Sequence, residues 1–209
     1  MSRSASESWR IVCLAALAGF LIFGLAAFAT GTLPGDVPLR RAFLDSASET
    51  VFSVARFVNH GGRGEVLLPA TLLLLWLSLV ARQRWWLWCG IQLGAGSVEH
   101  TFKFLVGRPR PSGSSLGYPS GHTTAAATFA VIMIYFSLRA QLTPLQRRLI
   151  QIVSVILMLT VGWARIMLRA HWPSDVLGGF LLGICCAAGA AWWNESHPVA
   201  AAVETHSLR

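Results

Sequence analysis

Ile11-Val-Cys-Leu-Ala-Ala-Leu-Ala-Gly-Phe-Leu-Ile-Phe-Gly-Leu-Ala-Ala-Phe-Ala29 runs nineteen residues without a charge or a proline. Wound as a helix at about 1.5 Å per residue, it is close to the roughly 30 Å thickness of a bilayer's hydrocarbon core. Arg3 and Arg10 precede it, and Gly31, Pro34 and Gly35 break it off behind. Ala27-Phe28-Ala29 looks like a signal-peptide cleavage site. The apolar run, however, exceeds the roughly 7–15 residues of a secretory signal, so the reading is a retained membrane helix.

The rest of the chain asks for the same solvent. Of its 209 residues, 54% are apolar and only 12% charged, with mean hydropathy +0.56. A soluble domain is roughly a quarter charged, so this composition excludes a water-soluble globule and a disordered chain. The net charge is +8, but no basic run is present and the aromatic residues lie in apolar stretches. That argues against nucleic acid and leaves lipid headgroups or an anionic substrate as partners. Cys13, Cys89, Cys185 and Cys186 all fall in apolar stretches without metal-ligand spacing and read as small interior hydrophobes.

Working outward, the expected fold is all-α: one integral membrane domain with six transmembrane helices. The spans fall at about 11–29, 66–81, 85–106, 123–138, 149–168 and 176–193. Residues 36–64, where Phe43, Val51, Val54 and Phe57 recur at helical spacing between charges, read as one or two amphipathic interfacial helices. Trp85, Trp86 and Trp88 form an aromatic belt, and 194–209 is a polar tail. Parity then puts the loops after spans three and five on one side of the membrane. With the N-terminus inside, the two sides carry eight and nine basic residues. Setting aside five cations in the matched loops leaves eight against four, which favours cytoplasmic termini and loops facing the periplasm or exterior of a bacterial inner membrane.

Three clusters lie in those loops. The first holds Lys103, the only lysine in the chain, followed by Arg108-Pro109 and Arg110-Pro111. Pro stiffens the loop and biases each Arg away from helix, and fixed cations on a stiff loop suit phosphate. Glu99 precedes Lys103 by one turn and reads as its ion-pair partner, while His100 reads as a packed interfacial residue rather than a proton carrier. The second cluster, Tyr118-Pro119-Ser120-Gly121-His122-Thr123, opens a helix. Its free backbone N–H groups attract anions, and Ser120 can also serve as an N-cap. In the third, Arg165 precedes His171, and Asp175 lies four residues beyond. The Asp can hold one ring nitrogen and leave the other exposed as a nucleophile. One face would thus collect Lys103, Arg108, Arg110, Arg165, His122 and His171 beside a single Asp. A bound phosphate relieves their repulsion, and the two histidines can then divide attack and protonation between them.

In these residues the chain resembles the type 2 phosphatidic-acid phosphatase superfamily of membrane lipid phosphatases. Lys103 through Arg110-Pro111 matches its first motif, Pro119-Ser120-Gly121-His122 its second, and Arg165, His171 and Asp175 its third, with Ala164 where that motif has Ser. The resemblance implies a six-helix core with His171 as nucleophile, oriented by Asp175 and carrying a phosphohistidine. It implies His122 as general acid, and Lys103, Arg110, Ser120, Gly121 and Arg165 as phosphate binders. Arg108 and Glu99 have supporting places. It also implies no metal and no cofactor, in keeping with the lack of clustered carboxylates in the sequence.

The expected activity is hydrolysis of an isoprenyl diphosphate or a phospholipid or glycolipid phosphate, with membrane lipids as surroundings and no obligate protein partner. A lipid phosphotransferase would use the same groups, and a vanadate haloperoxidase is disfavoured by so apolar a chain. An anion or lipid transporter, or a membrane scaffold, is the non-enzymatic alternative.

Overall fold

The computed structural model describes residues 3–45, 47–113 and 116–198, and among these the regular structure is entirely helical. In chain order the helices are α1 (Arg3–Thr30), α2 (Asp36–Asp45), α3 (Glu49–Asn59), α4 (Gly64–Leu77), α5 (Leu79–Arg82), α6 (Trp85–Val106), α7 (Gly121–Arg139), α8 (Pro144–Met167) and α9 (Pro173–Ser196), with a 3-10 turn at His60–Gly62. Four helices, α1, α7, α8 and α9, are long and apolar enough to cross a membrane, and α4 is a shorter apolar helix. The helix expected at 85–106 has those bounds. The span expected at 66–81 is interrupted. Ser78 leaves the helical region (φ −111°, ψ 111°), and its hydroxyl accepts the Ala81 N–H to start α5. A short polar side chain here competes with the backbone ladder and opens the run.

The segment 36–64 folds as α2, α3 and the 3-10 turn. Ala55 is fully buried against Ala164 and Met167, with Phe43, Val51 and Val58 around them. Phe57 and Val54, from the same apolar set, point outward. Of the polar tail, residues 194–196 extend α9, and 199–209 lie outside the described residues.

Helix α7 lies at the centre, against α8, α9 and α6, while α1 packs along α9. Close approach of α7 and α9 rests on small residues. A Cβ at Gly179 would stand 2.6 Å from the Ser120 carbonyl oxygen, and one at Gly183 2.5 Å from that of Thr124. At one end Trp88, Tyr135 and Phe136 pack together with Ala187 and Ala191. Toward the other end Tyr118 is wholly buried beside Phe20 and Leu182, and its hydroxyl donates to the Phe20 carbonyl at 2.7 Å. The Tyr118 ring is held between Gly24 and Gly178, where an added Cβ would fall 3.2 Å and 2.3 Å from ring carbons. Gly178→Ala is therefore expected to destabilise the protein by about 1–3 kcal/mol through overpacking. Thermal unfolding of the detergent-solubilised protein checks this, and an unchanged midpoint would contradict it.

Candidate active site

Helices α6 and α8 run toward the end of the bundle from which α7 and α9 return, so two connecting loops meet there. Helix α6 stops at Gly107, whose left-handed backbone (φ +59°) returns its N–H to the Lys103 carbonyl, a geometry that suits glycine. Beyond α8, Arg169 takes the same left-handed region (φ +56°). The N–H groups of Ala170 and His171 then both fold back onto the Arg165 carbonyl. That turn brings His171 over the end of the bundle. Pro173 opens α9, and Asp175 in its first turn accepts the Trp172 N–H at 3.0 Å, as an acceptor at a helix start should.

His171 and Asp175 form a buried pair, Nδ1 to Oδ2, at 3.3 Å. The other carboxylate oxygen, Oδ1, accepts from Arg108 Nη1 at 2.6 Å. With both oxygens taken up by donors, Asp175 receives the imidazole proton on Nδ1 and leaves Nε2 as the lone-pair nitrogen. Burial, above all, pulls the His171 pKa down from 6.5 to about 4; Asp175 opposes that shift, while Arg165 and Arg110 add to it. The ring is therefore neutral at neutral pH, the form able to attack an electrophile.

The cations expected around it converge, with one exception. Arg165 and Arg110 lie close enough to act on the charge of His171. His122 lies within the electrostatic reach of Arg165, His171, Arg63 and Lys103. Arg165 donates from Nη1 to Asn59 at 2.7 Å, and its Nε is buried without a partner. Arg110 Nε donates to the Leu116 carbonyl at 3.2 Å. Lys103 is ion-paired to buried Glu99, as the one-turn spacing predicts. The Glu99 carboxylate in turn lies against Gly121, where a Cβ would sit 2.7 Å from Oε1, so a larger residue there would push on the partner of Lys103. Ser120 is fully buried and makes no side-chain cap to α7. Its hydroxyl oxygen accepts from Thr123 at 2.8 Å, and its N–H ties α7 to the Asp175 carbonyl. His100 faces outward, edge-on to Phe104.

The exception is Arg108. The expectation of a single Asp among the cations is corrected: Arg108 turns inward, 1% exposed, and its guanidinium is shared by Asp175 and Asp36. A guanidinium on the open face would add to the repulsion, whereas two buried carboxylates neutralise it. Asp36 went unnoticed in the sequence because it lies far upstream, and its only signal is an acidic residue after the breakers Pro34 and Gly35. Asn59 had no signal, being one polar residue at the end of an amphipathic helix. Gly62, also unassigned by sequence, presses on His122, where a Cβ would stand 2.8 Å from the histidine Cβ.

Beside His122 opens a cavity of about 480 Å³ between α4, α6 and α7, lined by Arg63, Leu68, Gln92, Leu93, Glu99 and Gly121 among others. Among the described residues no group of three or more His, Cys, Asp or Glu side chains is arranged to hold a metal ion.

A family model described as the PAP2 superfamily matches residues 84–197, which include all three motifs. Phosphatidylglycerophosphatase B of Bacillus subtilis (strain 168) is 25% identical over 175 residues, 79% of this chain and 86% of that protein. The decaprenylphosphoryl-5-phosphoribose phosphatase of Mycobacterium tuberculosis (strain ATCC 25618 / H37Rv) is 30% identical over 149 residues, 66% of this chain and 77% of that protein. The crystal structure of a transmembrane PAP2-type phosphatidylglycerolphosphate phosphatase from Bacillus subtilis superposes with a TM-score of 0.77, at 23% identity, over 88% of this chain and 96% of that one. That last likeness concerns the fold.

Proposed function

This chain belongs to the PAP2 superfamily, and from that premise we propose that it removes phosphate from a membrane lipid through a phosphohistidine on His171, without a metal. It is a lipid-phosphate hydrolase and an integral membrane protein. The single observation that carries the mechanism is the neutral His171 ring held by Asp175 (Nδ1 to Oδ2) and set among Arg110, Arg165 and His122.

In the first step the Nε2 lone pair attacks phosphorus and the bond to the lipid oxygen breaks. His122, which takes up a proton when the phosphate anion offsets the cations around it, gives that proton to the departing oxygen, and Asp175 holds the ring of His171 as it becomes cationic. In the second step water attacks the phosphohistidine, His122 takes back a proton, and the P–N electron pair returns to His171. Arg165, Arg110, Lys103, the Ser120 hydroxyl and the Gly121 amide hold the three equatorial oxygens. Stabilising charge there is where most of the rate enhancement arises. Since His122 faces the leaving group, the lipid portion occupies the cavity beside it, with its tail between α4 and α6.

The substrate class is an isoprenyl diphosphate or a phospholipid or glycolipid phosphate. The relatives named for phosphatidylglycerophosphate and for a decaprenyl-linked phosphate support this range. With α4–α5 and α6 added to the four long apolar helices the chain would cross six times and keep both termini on one side. The bias of its basic residues favours the cytoplasm for that side, with the site on the outer face of a bacterial inner membrane and α2 and α3 at the interface. Residue-labelling across the membrane tests the orientation.

Phosphate release from a panel of lipid phosphates by the purified protein tests the activity. EDTA is expected to leave turnover unchanged within about twofold, because cationic side chains do the work that a metal would do. Chelator-sensitive turnover restored by Mg²⁺ would remove the metal-independent route. Adding an alcohol-bearing lipid acceptor distinguishes phosphotransfer, which would show as a phosphorylated acceptor in place of free phosphate.

A further inference from the structure

We propose that Asp36, which belongs to none of the three motifs, is a positioning residue for the reaction, holding Arg108 so that Asp175 keeps both its place and its charge behind His171. The proposal rests on the phosphohistidine reading above.

Asp36 opens α2 and is 2% exposed. Its carboxylate accepts the Ser174 N–H at 2.9 Å, the Ser174 hydroxyl at 2.8 Å and the Leu33 N–H at 2.9 Å, and it pairs with Arg108 Nη2. From the same guanidinium, Nη1 reaches Ser174 Oγ at 2.7 Å and Asp175 Oδ1 at 2.6 Å. Asp175 Oδ2 completes the line to His171 Nδ1. The order is carboxylate, guanidinium, carboxylate, imidazole, every member buried.

A buried Arg108 facing Asp175 alone would spend its full charge on that carboxylate. Two carboxylates around one guanidinium leave the cluster with a net charge of −1 when His171 is neutral and zero when the ring becomes cationic on attack. Without Asp36 those sums become zero and +1. The excess would fall in a site where Arg165 from α8, Arg110 from the α6–α7 loop and His122 from α7 already face the ring. Charges this well shielded from water interact strongly, so Asp36 favours the cationic ring of the first step without touching it. A plain tie between α2 and α9 would instead support folding and leave the chemistry of the remaining folded enzyme unchanged.

The test uses the purified full-length chain and a lipid phosphate that the wild type hydrolyses. Asp36→Asn is expected to lower kcat by about tenfold or more with KM nearly unchanged, counted per chain able to form the phosphoenzyme. The acid limb of kcat/KM should also move to lower pH, because the uncompensated Arg108 charge disfavours protonation of His171. Ser174→Ala, which removes the hydroxyl joining Asp36 to Arg108, should move both readings the same way but less, and it decides alone if Asp36→Asn cannot be purified. Asp36→Glu should restore part of kcat. An unchanged acid limb, a loss confined to KM, or a loss explained wholly by fewer active chains would overturn the proposal. A wild type that forms no phosphoenzyme would defeat the underlying reading, and this one with it.

Discussion

Replacing His171 with alanine is expected to cut lipid-phosphate turnover by at least about a thousandfold, the largest loss of any single substitution considered. The reason lies in the division of the ring's two nitrogens. Asp175 holds Nδ1 at 3.3 Å, and no other side chain in the site combines a lone pair free at neutral pH with such a partner. The alanine variant keeps Arg110, Arg165 and Lys103, so it should still bind substrate and lose kcat rather than KM. Phosphohistidine survives alkali, and labelling with ³²P substrate followed by alkaline quench should trap it in the wild type and not in the variant. Labelled phosphoenzyme in the variant, or full activity without label, would end the proposed route. The pH profile adds a second reading. The ring is neutral above a pKa of about 4, and protonation below it removes the attacking lone pair. The acid limb of kcat/KM for the wild type therefore belongs near pH 4 rather than at the ordinary 6.5 of a histidine, and Asp175→Asn should shift it lower still.

The second large effect belongs to His122. Loss of a general acid costs roughly a hundred to ten-thousandfold when the leaving group is a poor one, and a lipid alkoxide is poor. His122→Ala is expected to fall in that range on a lipid monophosphate, yet to lose far less on p-nitrophenyl phosphate, whose leaving oxygen departs without a proton. Equal losses on the two substrates would show that His122 binds phosphate or shapes the site instead. Its packing sharpens the test. The backbone at Gly62 presses directly on the histidine Cβ, so the position is fixed by the 3-10 turn, and His122→Gln keeps the bulk without the acid.

The three motifs were legible because each is short, ordered and chemically unusual for a membrane chain. The one-turn spacing of Glu99 and Lys103 predicted their ion pair, and parity predicted which loops would meet. What escaped was governed by distance in the chain. Arg108 read as one cation among several, and only the fold shows it facing two buried carboxylates, one of them 72 residues upstream. Asn59 is likewise separated from Arg165 by 106 residues, and a single amide on a helix end carries no pattern. The break at Ser78 was hidden for a different reason: hydropathy reads 66–81 as continuous, whereas a local hydroxyl contact decides the backbone there. Gly121 read as part of a phosphate-binding helix start and Gly178 carried no reading; the crowding at each comes from a residue distant in the chain, Glu99 and Tyr118.

Helix α1 packs chiefly along α9 and more lightly on α6, so the larger part of its inward face has no protein to meet until α9 has been made. Tyr118, which donates to the α1 backbone and is wedged against Gly178, cannot settle before that either. A nascent chain halted before α9 would therefore lack both the main support of α1 and the Asp175 that holds His171.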